Sequence, residues 1–229
     1  MCSSPPFSTM AIEQNIRELQ QRIARACQRA GRSPDEVTLV AVTKTVDIPA
    51  IEAAFNAGLR YFGESRVQEA KPKIEQLGKL KPGITWHMIG HLQTNKAKTA
   101  ADIFDIIHSI DSLRLAETLN SCSQKKLPIL IQVNVTAEGT KSGFAPAEVN
   151  EAVRQIGKLA NLDIQGLMTI APWVDDAEEV RPVFRQMRQL RDSLGLKHIS
   201  MGMTDDFEVA IEEGATLVRI GRAIFSQRS

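Results

Sequence analysis

An alternation constrains this chain more than any other feature of it. Eight short, apolar, mostly β-branched runs, at residues 37–43, 60–62, 85–89, 106–110, 129–135, 164–170, 198–201 and 217–220, are separated by stretches with helical spacing. The runs are nearly continuous in apolar residues rather than alternating, as parallel strands covered on both faces require. Between them apolar residues recur every three or four positions. Ile12, Ile16, Leu19, Ile23 and Ala26 form one such stripe over residues 10–30, stopped by Gly31 with Pro34 beyond. Val180, Val183, Phe184, Met187, Leu190 and Leu194 form another over residues 178–194, and further helical stretches cover 49–57, 64–77, 113–121, 146–159 and 205–213. Eight βα units in sequence predict an α/β fold with one closed (β/α)8 TIM barrel. An open doubly wound sheet shares the alternation, but no Gly-x-Gly-x-x-Gly follows the first run, where a dinucleotide fold places it.

A length of 229 residues suits one barrel, and no linker-like break, low-complexity tract or second domain is evident. Residues 10–229 are read as that single domain. Residues 1–9, with Ser3, Ser4, Pro5 and Pro6, are read as a disordered leader, and Met10 is a possible second start. The leader lacks a basic segment followed by an apolar one, and no apolar run approaches the roughly 18 residues that span a bilayer. A cytoplasmic protein is expected. Lys and Arg total 28 against 27 Asp and Glu, a net charge of +1, which gives no electrostatic footprint for nucleic acid or an acidic membrane. With one tyrosine (Tyr61) and two tryptophans (Trp86, Trp173) there is no base-stacking surface either. Cys2, Cys27 and Cys122 are too widely spaced for a zinc site or a disulfide framework. Asn134-Val135-Thr136 matches a glycosylation sequon, which means little without a secretory route.

Barrel chemistry sits at the carboxyl ends of the strands. Reading those positions alone gives Thr43-Lys44-Thr45 after the first run, Gly63-Glu64-Ser65-Arg66 after the second and His87 to His91 after the third. Ser109 and Asp111, then Asn134, then Met168 and Thr169 follow, with Ser200 to Thr204 and Arg219 to Arg222 last. Lys44 is expected to point into the mouth, where burial would disfavour its ammonium form and make the amine a nucleophile toward aldehydes. On position alone, a solvated lysine is the commoner outcome. Gly202 and Gly221 allow close backbone approach, and the last two loops are where barrels frequently bind phosphate. Ser200 and Thr204 add hydroxyls, and Arg219 or Arg222 adds charge. Thr204-Asp205-Asp206 also reads as a plain helix N-cap. A lysine facing a phosphate cup suits a phosphorylated aldehyde. His87 and His91 are four apart, but Gly90 intervenes and no third ligand is evident, so metal is not expected. Cys27 and Cys122 are read as packing residues.

The same residues carry a resemblance. Leu39-Val40-Ala41-Val42-Thr43-Lys44-Thr45, Phe62-Gly63-Glu64, Val67-Gln68-Glu69-Ala70 and Trp86-His87-Met88-Ile89-Gly90-His91-Leu92-Gln93-Thr94-Asn95-Lys96 are similar to segments of the pyridoxal phosphate homeostasis protein family. So are Gln132-Val133-Asn134-Val135, Lys141-Ser142-Gly143-Phe144, Gly166-Leu167-Met168-Thr169-Ile170, Ser200-Met201-Gly202-Met203 and Val218-Arg219-Ile220-Gly221. The resemblance covers nearly everything after residue 10. It implies a barrel of the alanine-racemase N-terminal type (PLP fold type III). Pyridoxal 5′-phosphate (PLP) would be held as an internal aldimine on Lys44. By the same resemblance the phosphate would be held by Ser200, the Gly202–Thr204 turn, Gly221 and Arg222. Arg219 would face the pyridine nitrogen, and Asn134, His87 and Met168 would line the pocket. The chain departs from the family pattern at Ser65, where the family has Asn, at Thr204, where it has Ser, and at Ser226, where it has Gly.

Three functions fit a Schiff-base lysine here. The resemblance implies a carrier without turnover, acting in vitamin B6 and amino-acid homeostasis, with PLP-dependent apoenzymes as acceptors. A PLP-dependent racemase would need a base on each face of the ring, and the one tyrosine, Tyr61, starts the second run. An always-charged arginine at the pyridine nitrogen would also weaken the ring as an electron sink. A cofactor-free aldolase could use the phosphate cup but leaves the remaining motifs unexplained. With no exposed apolar stripe evident, a monomer is expected.

Overall fold

The computed structural model describes residues 9–80, 82–135 and 142–226. Most of the expected leader, Cys2, Thr136 of the sequon and Lys141 lie outside the described residues. Eight parallel strands close into a barrel in sequence order: β1 (Thr38–Val42), β2 (Tyr61–Glu64), β3 (Thr85–Met88), β4 (Ile106–Ile110), β5 (Leu127–Gln132), β6 (Leu162–Met168), β7 (His198–Ser200) and β8 (Leu217–Ile220). Helix α1 (Thr9–Arg29) precedes them, and α2 (Ile48–Asn56), α3 (Val67–Leu80), α4 (Ala97–Ile103), α5 (Leu113–Cys122), α6 (Val149–Ile156), α7 (Arg181–Ser193), α8 (Phe207–Glu212) and α9 (Arg222–Phe225) follow the strands in turn.

Local chemistry explains several of these elements. α1 buries Ile12, Ile16, Leu19, Ile23, Ala26 and Cys27 against α2, α8 and α9, and Gly31 then turns the chain at φ 66°. Full burial of each large aliphatic contributes roughly 1.5–3 kcal/mol. The Asp47 carboxylate accepts from Ala50 N–H at 3.0 Å and caps α2, with Pro49 in the first turn. Ser112 caps α5 through Leu115 N–H in the same way. Gly166 lets β6 meet β7, because a Cβ there would lie 2.0 Å from the His198 carbonyl.

Two cores result. A large one fills the space between strands and helices. A small one, Val40, Leu130, Met168 and Leu217, occupies the barrel lumen. No described helix is long and apolar enough to cross a membrane.

The expected boundaries shift in places. Glu64 ends β2 instead of opening a helix, because its backbone pairs with Met88 in the β3 register. β5 and β6 begin earlier than their β-branched runs, at Leu127 and Leu162. Residues 146–148 form a 3-10 turn ahead of α6. Thr204 does not cap α8. That position belongs to Asp206, whose carboxylate accepts from Met203 N–H at 2.6 Å.

Candidate functional site

Lys44 sits in a tight turn at the carboxyl end of β1. Val46 N–H donates to the Thr43 carbonyl at 3.0 Å, so Lys44 and Thr45 are the two central residues. Thr45 has φ 63°, the one positive φ of a non-glycine residue among those described. For a β-branched residue that conformation costs on the order of 1–3 kcal/mol and persists only where the surroundings over-determine it. The Lys44 side chain is exposed, which corrects the expectation of a buried amine. It lines a cavity of about 270 Å³ with Val42, Thr45, Gly221, Arg222 and Ser226. Gly221 packs closely here: a Cβ would lie 3.2 Å from the Val42 carbonyl and 3.3 Å from Val42 Cβ, so Val42 would have to give way by a few tenths of an ångström.

Every polar atom of Thr43, just before Lys44, is engaged. Its N–H donates to the Gly63 carbonyl at 2.9 Å, and its hydroxyl donates to Glu64 Oε1 at 2.7 Å. Lys73 Nζ, from α3, donates to the Thr43 carbonyl at 2.7 Å and to Glu64 Oε1 at 2.9 Å. The Glu64 side chain is wholly buried and Lys73 is 16% exposed.

The loops after β7 and β8 meet beside this turn. Gly202, at φ 91°, admits no side chain, since a Cβ would lie 2.6 Å from Ala210 Cβ. The N–H groups of Thr204 and Asp205 make no hydrogen bond among the described residues. Arg222 pairs with Asp205 across the two loops.

A polar chain crosses the barrel lumen below. Arg219 Nη1 donates to Ser200 Oγ at 2.5 Å, and Nη2 donates to the Thr169 carbonyl at 2.8 Å. Ser200 Oγ lies 2.9 Å from His108 Nδ1, and His108 Nε2 lies 2.8 Å from His87 Nδ1. β4 and β7 are not neighbours in the sheet, so the His108–Ser200 bond spans the lumen. All four side chains are buried. Burial pushes the Arg219 guanidinium down to about 10 and His87 down to about 3. Burial also holds His108 well below its usual value, reinforced by His87 and Arg219. Asp206, near Arg219, is raised by its own burial.

The structure thus separates the expected site residues into groups. Lys44, Gly221 and Arg222 share one cavity, and Gly202 and Thr204 shape the adjoining loop. Arg219, Ser200 and His87 belong to the buried chain, and Met168 is wholly enclosed in the lumen core. Asn134 lines a neighbouring cavity of about 220 Å³ with Ile89, His91, Gln132 and Ile170. His91 is exposed and lies 3.0 Å from Asp111, so it does not work with His87. Sequence reading missed His108, which sits inside the apolar run Ile106-Ile107-His108-Ser109-Ile110. It also missed the partnership of Glu64 with Lys73. Nor did it foresee an apolar rim: Ile170, Trp173 and Met203 are exposed together, Trp173 at 81%. Ser65 contributes through its backbone, because a Cβ at Gly90 would lie 2.3 Å from the Ser65 carbonyl.

A closed parallel barrel with a lysine-bearing turn at the end of its first strand is of the class described as alanine racemase, N-terminal domain, whose family signature matches residues 8–229. The fold extends to alanine racemase of Clostridium difficile 630, at TM-score 0.70 and 13% identity, covering 94% of this chain and 57% of that one. Within that class the chain belongs to the pyridoxal phosphate homeostasis proteins. It is 43% identical over 224 residues to that of Aquifex aeolicus, covering 94% of this chain and 97% of the relative. It is 44% identical over 230 residues to that of Escherichia coli K12, covering 95% and 97%. PipY of Synechococcus elongatus PCC7942, whose structure has PLP bound, superposes at TM-score 0.83 and 36% identity, covering 94% of this chain and all of that one.

Proposed function

We propose that this chain binds PLP through Lys44 and holds it as part of cellular vitamin B6 and amino-acid homeostasis, without turnover of its own. The observation that carries this reading is the Lys44 turn, which shares one cavity with Gly221 and Arg222. The residues fit the group. Gly202 packs its loop directly on α8 and Gly221 brings its loop close to Val42, the N–H groups of Thr204 and Asp205 are free to donate, and Arg222 supplies charge for a phosphate. Arg219 lies under the mouth with donors to spare beyond its two bonds, suited to a ring nitrogen that accepts. Ser200 has its hydroxyl already shared by His108 and Arg219, so it acts on the site by orienting Arg219. His87 and Met168 support the floor, and Asn134 borders the mouth.

When bound, PLP supplies a reversible imine with an amine and an electron-withdrawing ring. Two features favour holding it over transforming it. Arg219 is a donor that stays charged at neutral pH, which keeps a facing ring nitrogen unprotonated. Tyr61, the chain's one tyrosine, starts β2, at the end of the barrel opposite the Lys44 turn, and its ring packs edge-on against His87 at 5.8 Å. The reading includes a cytoplasmic monomer that passes PLP to PLP-dependent apoenzymes. The relatives' name as homeostasis proteins supports the role but not the acceptor.

The test is the visible absorption spectrum of the purified protein beside Lys44→Ala, followed by separate incubation with D- and L-alanine. A Schiff-base band present in the wild type and lost in the variant, with no racemisation, is the expected result. No band after incubation with PLP would return the cofactor-free aldolase to consideration.

A further inference from the structure

Burying Glu64 and Lys73 together is a poor way to add stability. Desolvation of a carboxylate and an ammonium offsets most of their attraction, and apolar side chains of similar size commonly do as well. Here the pair is not even fully satisfied, since Glu64 Oε2 is buried without a partner among the described residues. Its other contacts all converge on one residue. Lys73 reaches the Thr43 carbonyl, which also closes the Lys44 turn through Val46 N–H, and Glu64 Oε1 takes the Thr43 hydroxyl. Next along the chain after Lys44, Thr45 is held at φ 63°, a conformation a threonine leaves unless it is held.

We infer that Glu64 and Lys73 are positioning residues: a buried ionic clamp on Thr43 that keeps the turn closed and presents the Lys44 amine at the cavity. The inference rests on the reading of Lys44 as the Schiff-base residue. The clamp reaches the turn from two elements, β2 and α3, so its hold does not depend on β1 alone. Thr43 also pairs with Gly63, which fixes the height of the turn, while Lys73 fixes its closure. The cost of Thr45 is therefore met outside the turn itself.

The experiment uses the full chain and titration with PLP, read by the visible Schiff-base band. Glu64→Gln/Lys73→Met removes both charges together and leaves no buried ion unpaired. It is expected to fold, judged by circular dichroism and thermal midpoint, and to bind PLP about tenfold more weakly. Adding Thr45→Gly to that background should recover most of the loss, because glycine occupies positive φ without strain and the turn then closes unaided. Thr43→Val keeps the β-branched shape and removes one arm of the clamp, so it should weaken binding in the same direction by about threefold. Wild-type affinity and spectrum in both clamp variants would overturn the inference. A loss that Thr45→Gly does not recover would overturn it too, showing general damage instead. If Lys44→Ala keeps the band, the Lys44 reading itself fails; if Lys44→Ala loses the band while the clamp variants match the wild type, only the clamp fails.

Discussion

Arg219 donates to the Ser200 hydroxyl at 2.5 Å, and this one bond fixes the direction of a chain that crosses the barrel. A guanidinium can only donate, so Ser200 Oγ accepts from Arg219; the hydroxyl could accept a second bond, but only donation to His108 Nδ1 gives its buried hydrogen a partner among the described residues. His108 must then carry its proton on Nε2 and give it to His87 Nδ1, which leaves the His87 proton on Nε2. That last donor is buried without a partner among the described residues. The prediction is that both histidines are neutral Nε2–H tautomers. Nitrogen-15 NMR of labelled protein reads this directly, and an Nδ1–H signal from His108 would break the chain. In a Ser200→Ala variant the His108 tautomer should become mixed and the PLP band should shift, because Arg219 loses one of its two acceptors and keeps only the Thr169 carbonyl.

The same burial makes stability depend on pH. His87 titrates near 3 in the folded chain against about 6.5 unfolded. Between those values the unfolded state binds the extra proton, so stability is complete above pH 6.5 and falls as the pH drops toward 3. The slope from His87 alone is on the order of 1.4 kcal/mol per pH unit within that window, and His108 acts in the same direction. Thermal midpoints measured from pH 7 to 4 should decline steadily, and His87→Gln should flatten the decline. A midpoint independent of pH over that range would contradict neutral, buried histidines.

Glycines give a third set of outcomes. A Cβ at Gly166 would lie 2.0 Å from the His198 carbonyl, and at Gly90 2.3 Å from the Ser65 carbonyl; both obstacles are backbone. Gly166→Ala should force β6 and β7 apart and destabilise by several kcal/mol, and Gly90→Ala by about 1–3 kcal/mol with loss of contact between the β2–α3 and β3–α4 loops. Gly78, inside α3 with open space around its Cβ position, is the control. Gly78→Ala should stabilise by about 0.5–1 kcal/mol. Chemical denaturation of the three variants checks the order.

Much of this architecture was legible because it is local. Eight apolar runs at strand length favour a parallel barrel, and a lysine directly after the first run lands at the carboxyl end, where the proposed site is. Gly202 and Gly221 could be read because a missing side chain constrains its own neighbourhood. The lumen chain could not be read in this way. His108 and Ser200 are brought together by closure of the barrel across 92 positions, and each lies inside a strand run, where a polar residue looks like an interruption. Inward parity was the available signal: His87, His108, Ser200 and Arg219 alternate with the outward Met88, Ile107, Ile199 and Val218. Glu64 was misread as a helix start because Gly63 precedes it and the Val67 helix follows closely. Its partners, Thr43 and Lys73, come from two other elements. The expectation of a buried Lys44 failed because the turn projects beyond the last strand residue, Val42.

The Arg222–Asp205 pair yields the last prediction. Both side chains are exposed, Arg222 at 70% and Asp205 at 61%, so the pair is screened and adds little to stability. Its effect falls on the proposed phosphate loop instead. Asp205 puts a negative charge beside Arg222, which lines the Lys44 cavity, and competes with an incoming phosphate for it. Asp205→Asn should leave the thermal midpoint unchanged and tighten PLP binding about threefold at low salt, while Arg222→Ala should weaken it about tenfold. Both effects should shrink in high salt, because they act between solvent-exposed charges. Titration with PLP at two ionic strengths checks this. An Asp205→Asn protein that binds PLP more weakly would mean that Asp205 holds Arg222 in its working position, and the competition argument would fall.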